Sequence, residues 1–115
     1  MSDFVIFRLG PTKWALPAEA VHQILSPRPV TRLPDPPPLV RGLVAWRAKV
    51  LPVLGLGERL DCADPSLDGC TLLVTDMGGE LAALAVDEVM HLAQPIDLDT
   101  ASARLLDVEQ VFRGE

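Results

Sequence analysis

Two apolar segments that meet at a short charged turn constrain the fold of this chain more than any other feature. Residues 39–46 and 50–56 consist mainly of Val, Leu, Ala and Gly, and Arg47, Ala48 and Lys49 separate them. Short apolar runs bounded by a turn are typical of paired β-strands. The pattern therefore predicts two strands joined by a turn that carries Arg47 and Lys49.

Turn signals divide the rest of the chain into further short runs. A Gly-Pro pair at residues 10–11 separates two half-apolar runs, and Asp-Met-Gly-Gly at residues 76–79 separates two more. Both are strong turn signals, and the second favours a β-hairpin. Because short strands recur with turns between them and no βαβ rhythm is present, we predict an all-β fold with short helices.

Two short helices are expected beside these strands. Over residues 18–25, apolar residues recur at i, i+3 and i+4; Pro17 suits the first helical position and Pro27 prevents continuation. Residues 107–113 begin with Asp107, an N-cap candidate, and carry a glutamine three residues later. The sequence therefore predicts one helix in each segment.

Size and composition favour a single domain over residues 1–115. The 115 residues are too few for two domains of ordinary size, although two small barrels that share one interface fit this length. Hydrophobic residues make up 49% of the chain, which argues against disorder, and aromatic residues make up only 4%. Val, Leu, Ala and Ile must therefore fill the core.

The charge balance restricts the partners and the compartment. With 10 Lys and Arg against 16 Asp and Glu, the net charge is −6, which repels a phosphate backbone. Asp3 interrupts the start of the chain, and no apolar run approaches the ~20 residues of a membrane span. We predict a cytoplasmic protein without nucleic-acid binding or membrane insertion, in which Cys62 and Cys70 are reduced thiols.

Motifs for catalysis are absent from the sequence. It contains no GxSxG, HExxH, P-loop or dinucleotide-binding motif. His22 and His91 are far apart without a ligand pattern, and the acidic segment 61–68 lacks the spacing of a calcium loop. We therefore predict no enzymatic activity, cofactor or metal, and expect an interaction module. A nucleic-acid-binding barrel is the alternative class, disfavoured because it needs basic strands and stacking aromatics.

The order of these segments resembles the CheW-like coupling proteins of bacterial chemotaxis. In that family a glycine opens an apolar strand, an Arg-Gly pair turns the chain, and a Val-Pro-Val strand follows. Gly42, Arg47 and Val50–Leu54 repeat that order. Further similar segments, in chain order, are Phe4–Gly10, Trp14–Pro17, Val21–Leu25, Val30–Gly42, Ala85–Val89 and Leu105–Phe112.

The resemblance implies two small SH3-like β-barrel subdomains, with the proline-rich residues 34–38 bridging them. It also implies an adaptor that binds the cytoplasmic helical tip of methyl-accepting chemoreceptors and the regulatory domain of a CheA-type histidine kinase. For the apolar members of the implied site, burial in the core is the alternative, and for its arginine the alternative is a solvated turn. The partner-binding residues carried over by position are Val21, Ile24, Leu25, Arg47, Val86 and Asp87.

Three departures from the family pattern modify this expectation. Ala48 replaces the turn glycine, so the turn either avoids positive φ or bears a left-handed cost of about 1 kcal/mol. Gln23 replaces the usual glutamate. Between Ile96 and Ala103 a loop and strand are missing, which predicts a truncated subdomain with an exposed edge that favours self-association. We therefore predict an adaptor for chemotaxis or surface motility with weak or no kinase binding, the alternative being an ordinary coupling protein.

Overall fold

The computed structural model describes residues 3–37, 39–60, 64–93 and 104–106. Within these ranges the chain forms nine strands, one α-helical turn and one turn of 3-10 helix at Ala18–Ala20. The elements are β1 (Phe4–Leu9), β2 (Thr12–Pro17), β3 (Val21–Leu25), β4 (Val40–Trp46), β5 (Lys49–Leu54), α1 (Gly57–Leu60), β6 (Thr71–Asp76), β7 (Leu81–Val86), β8 (Glu88–Ala93) and β9 (Arg104–Leu105).

The strands form two sheets, which confirms the predicted all-β fold with two subdomains. The first sheet has the order β8-β1-β2-β9, and the second has the order β3-β6-β7-β5-β4. Pairing is antiparallel except between β5 and β7 and between β2 and β9. Both hairpins predicted from turn signals are present, β1–β2 and β6–β7. The glycines of the second have the positive φ that its turn requires, 78° at Gly78 and 101° at Gly79.

The second sheet curls until its two edge strands meet. Trp46 on β4 donates a hydrogen bond from Nε1 to Oε1 of Gln23 on β3, at 2.8 Å. Since β3 and β4 are the first and last strands of the sheet, this bond closes it into a barrel. The buried side chains that fill the barrel are Leu25, Val44, Trp46, Leu51, Val53, Leu67, Cys70, Leu72, Val74, Ala83 and Ala85.

A second core lies between the two sheets. Strand β7 contributes to both cores, because Ala83 and Ala85 point into the barrel whereas Leu84 and Val86 point to the inter-sheet core. This double burial explains why β7 is uniformly apolar rather than alternating. The buried members of the inter-sheet core are Phe7, Leu9, Trp14, Leu16, Leu54, Leu56, Leu73, Met77, Ala82, Leu84, Val86 and Leu106.

The helix predicted over residues 18–25 was wrong. Only Ala18–Ala20 form a helical turn, and Val21–Leu25 is the strand β3, paired with β6. A helix this short is marginal because nucleation is costly, whereas pairing with β6 gives the segment backbone hydrogen bonds along one side. The other predicted helix, over 107–113, and the shortened segment 97–102 lie outside the described residues.

The resemblance led us to expect that the proline-rich segment 34–38 bridges the two sheets. It does not, because the strands before and after it, β3 and β4, belong to the same sheet. The stretch just before this segment, at Val30 and Thr31, lies against β4. Thr31 and Leu43 exchange two backbone hydrogen bonds of 2.9 and 2.8 Å. Thr31 thereby covers part of a strand edge that would otherwise be open to pairing.

Candidate partner-binding surface

Two of the proposed partner-binding residues, Val21 and Arg47, lie near one end of the barrel. Val21 begins β3 and pairs with Thr75, one residue before the β6–β7 turn. Strands β5 and β7 run parallel, with Val53 level with Ala83, so the turn that precedes β5 lies at that same end. Arg47 is in that turn. The fold therefore brings the start of β3 and Arg47 to the same end of the sheet.

Arg47 is held by an aromatic contact. The turn residues Arg47 and Ala48 both have positive φ, 48° and 62°, which is the geometry of a type I′ hairpin. Ala48 therefore bears the left-handed cost rather than avoiding it. The Arg47 guanidinium lies 4.7 Å from the centre of the Trp46 ring, within the range of a cation–π interaction. Because Trp46 is itself bonded to Gln23, these contacts give Arg47 an ordered position beside β3.

Val21 and Ile24 are the apolar members of the candidate surface. Ile24 pairs with Leu73, a member of the inter-sheet core, so both project from the same face of the sheet. Val21 packs partly buried against that core, whereas 47% of Ile24 remains exposed. Ile24 therefore extends the inter-sheet core outward to the surface at the β3 edge.

Leu25 and Val86 lie inside the protein. Leu25 is 1% exposed in the barrel core, and Val86 is 0% exposed in the inter-sheet core. A side chain without accessible area cannot contact a partner unless the fold opens. The alternative of core packing therefore accounts for these two residues, and we do not include them in the surface.

Asp87 lies at the opposite end of β7, about 20 Å along the chain from Leu81 at the usual rise per residue. Its Oδ2 accepts a hydrogen bond of 2.7 Å from the Gly10 backbone and lies 4.0 Å from Nη1 of Arg8. The Asp87 backbone also donates to the Arg8 carbonyl at 3.0 Å. Asp87 thus fastens the β7–β8 corner to the β1–β2 turn and joins the two sheets, at a distance from the other candidate residues.

Sequence reasoning missed the side chains that order the surroundings of this surface. The Gln23–Trp46 bond has no local signal, because its partners are distant in sequence. Asp64, expected in a solvated acidic loop, is instead bound at both carboxylate oxygens: Oδ1 accepts from the Gly57 backbone at 2.7 Å, and Oδ2 lies 3.1 Å from Nη1 of Arg41. This pairing fixes Asp64 against β4 and the start of α1.

Three other features of the described part of the chain bear on its chemistry. No group of three or more His, Cys, Asp or Glu side chains there is arranged to hold a metal ion. Cys70 is free and buried, and desolvation by burial raises the pKa of its thiol. None of the helices in these ranges is long and apolar enough to span a membrane.

Comparison with known proteins identifies the family. Residues 3–97 match the CheW-like domain, and the chain therefore belongs to the CheW-like domain family. It is 30% identical to protein FrzA of Myxococcus xanthus over 118 residues, covering 94% of this chain and 74% of FrzA. It is 27% identical to the chemotaxis protein CheW of Rhizobium meliloti, over 84% of this chain and 63% of that protein.

A solved structure supports the same assignment. The scaffolding protein TtCheW of Thermoanaerobacter tengcongensis superposes with a TM-score of 0.71 at 25% identity. The match covers 81% of this chain and 64% of TtCheW. The chain thus spans about three quarters of FrzA but less than two thirds of the Rhizobium meliloti CheW and of TtCheW.

Proposed function

We propose that this protein is a non-enzymatic chemosensory adaptor that binds the cytoplasmic helical tip of a chemoreceptor and organises receptors in a signalling array. Membership of the CheW-like family supports this function, as do its similarity to a chemotaxis protein and to a scaffolding protein. Receptor tips are helical, so the docking surface must accept an amphipathic helix.

The observation that carries the proposal is Ile24, a large apolar side chain that is 47% exposed on β3, the strand whose Gln23 holds the Trp46 ring under Arg47. An amphipathic helix buries apolar side chains spaced by three or four residues in an apolar groove, and it carries polar side chains on its flanks. Ile24 and Val21 supply apolar area of that kind. Arg47 offers five donors at the rim for carboxylate or carbonyl oxygens of the helix.

Substitution of Ile24 by glutamate is expected to weaken receptor binding by about tenfold or more, because docking would desolvate the new charge. The measurement is calorimetric titration with a soluble fragment that contains the receptor tip. Stability should change little, since Ile24 is 47% exposed. Val21→Glu should weaken binding as well. Because Val21 packs partly buried against the inter-sheet core, this substitution is also expected to lower stability, which makes its effect on binding harder to interpret.

The matched control is Leu92→Glu on β8, where the side chain is 62% exposed and belongs to the other sheet. This variant adds the same charge but should bind the receptor fragment like the unmodified protein. If Ile24→Glu binds normally while Leu92→Glu is also unaffected, the docking surface lies elsewhere. Loss of folding in Ile24→Glu would instead assign Ile24 to the core.

We further propose that the adaptor binds a CheA-type kinase weakly or not at all. The basis is the short segment 97–102, where the family pattern has a further loop and strand. Titration of the kinase regulatory domain is expected to give at most weak binding, while the receptor fragment binds. Tight stoichiometric binding would favour the alternative, an ordinary coupling protein that links receptors to the kinase.

A further inference from the structure

Arg47 forms no ion pair within the part of the chain that the structure describes. Three other arginines there, Arg8, Arg32 and Arg41, each pair with a carboxylate. The Arg47 guanidinium instead lies over the face of the Trp46 ring, at 4.7 Å. Stacking of this kind occupies the face of a guanidinium and leaves the five N–H donors at its edge available to a partner.

The order of strands around the barrel places Arg47 on the β3 side of its turn. The β4–β5 turn lies between β3, which meets β4 where the barrel closes, and β7, which pairs with β5. Arg47 follows β4 directly, whereas Lys49 begins β5. Arg47 therefore lies toward the candidate surface on β3, and Lys49 lies toward the acidic β6–β7 turn.

Gln23 leaves the charge of Arg47 uncompensated. Its amide oxygen accepts the Trp46 Nε1–H at 2.8 Å, so Gln23 and Arg47 contact the same indole, one at its edge and one on its face. A glutamate at position 23 would accept the same hydrogen bond and add a negative charge within one Debye length of the guanidinium, about 10 Å at 0.1 M salt. The neutral amide adds no charge, so Arg47 stays available to an anion from outside the chain.

A docked helix offers side-chain carboxylates as anions. The backbone carbonyls of a helix are used in its own hydrogen bonds except in the last turn, so Asp and Glu side chains are the charged acceptors along its flank. A carboxylate accepts two parallel N–H bonds from an arginine, and stacking on Trp46 orders the Arg47 fork before the helix arrives. Because the net charge of −6 opposes acidic partners at long range, the preference applies only to a carboxylate that reaches Arg47.

We propose that Gln23 and Arg47 together select receptor tips that carry an Asp or Glu facing Arg47 in the docked complex. This selection rests on the receptor docking proposed above and names the chemistry of one contact within it. Arg47 binds the carboxylate. Gln23 determines the specificity, because it holds Trp46 in place without supplying a negative charge that competes for Arg47.

The test is calorimetric titration of the full chain with soluble receptor-tip fragments in which each Asp or Glu of the tip is changed in turn to its amide. One such change should weaken binding to the unmodified chain by about fivefold or more. The same change should have almost no effect on binding to Arg47→Gln, because that contact is already absent. It should have a much reduced effect on binding to Gln23→Glu, because the new carboxylate competes for Arg47.

Two controls accompany this titration. Gln23→Glu should remain folded, since its carboxylate oxygen still accepts the Trp46 N–H, and urea denaturation checks this. Lys49→Gln removes the same charge from the other side of the same turn, and it should discriminate between carboxylate and amide as the unmodified chain does.

The outcomes separate this selection from receptor docking itself. If the unmodified chain binds every amide fragment as tightly as the original fragment, the selection is overturned while docking stands. The selection is also overturned if Gln23→Glu, while folded, discriminates as strongly as the unmodified chain. A receptor-tip fragment that does not bind the unmodified chain at all contradicts the docking proposal, and the selection is then rejected with it.

Discussion

Substitution of Gly42 by alanine is expected to lower the free energy of unfolding by about 1–3 kcal/mol, in the range of steric overpacking. A Cβ atom at this position would lie 2.6 Å from the carbonyl oxygen of Thr31 and 2.7 Å from Cγ1 of Val30. A backbone oxygen cannot rotate away as a side chain does, so the chain at Val30 and Thr31 must move away from β4. Urea denaturation followed by tryptophan fluorescence measures the loss of stability.

Hydrogen exchange locates the effect of the Gly42 substitution. The Thr31 and Leu43 amides donate to each other's carbonyls in the unmodified chain, and both should exchange faster in Gly42→Ala. Gly69→Ala is the matched control, because a Cβ atom there meets nothing within 4 Å. Unchanged stability and unchanged exchange at both amides in Gly42→Ala would show that the segment does not require the glycine.

Features set by neighbouring residues were predictable from the sequence. The turns at 10–11 and 76–79 have local signals, because their glycines adopt positive φ at 57°, 78° and 101°. The β4–β5 hairpin was likewise apparent from two apolar runs around a charged tip. In each case the residues that determine the structure lie within a few positions of one another, so the pattern carries the information.

Features set by distant residues were not predictable in the same way. Residues 21–25 have helical spacing, yet β6, about fifty residues later, pairs with them and makes them a strand. The helical spacing also does not distinguish the exposure of Ile24 from that of Leu25, although the two side chains are 47% and 1% exposed. Which of two adjacent apolar side chains faces solvent depends on the face of the sheet that the other elements cover.

The family resemblance supplied site positions but not the contacts at those positions. It placed Gln23 where a glutamate is usual and gave Arg47 a role in the groove. In the structure, the amide oxygen of Gln23 accepts from the indole of Trp46, and Arg47 contacts the ring of that indole. Trp46 thus connects barrel closure to the position of Arg47, although the resemblance assigned it no role.

Substitution of Trp46 by alanine is therefore expected to have the largest effect of the changes considered. Trp46 is 8% exposed in the barrel core, and loss of a buried tryptophan costs about 3–5 kcal/mol. That is a large share of the roughly 5–15 kcal/mol that stabilises an ordinary domain. Because Arg47 also loses its aromatic contact, receptor affinity should fall in whatever fraction stays folded. Urea denaturation and receptor titration measure the two effects separately.

Trp46→Phe separates the hydrogen bond from the packing. Phenylalanine keeps an aromatic face for Arg47 but has no N–H, so the Gln23 oxygen loses its donor at a cost of about 1 kcal/mol. Stability should therefore fall less than in Trp46→Ala, and receptor affinity should be largely retained. Receptor affinity in Trp46→Phe is expected to differ from this only if the hydrogen bond matters for docking. If Trp46→Phe remains folded but loses receptor affinity as completely as Trp46→Ala, the hydrogen bond between Trp46 and Gln23 governs the docking surface, and the aromatic contact with Arg47 does not.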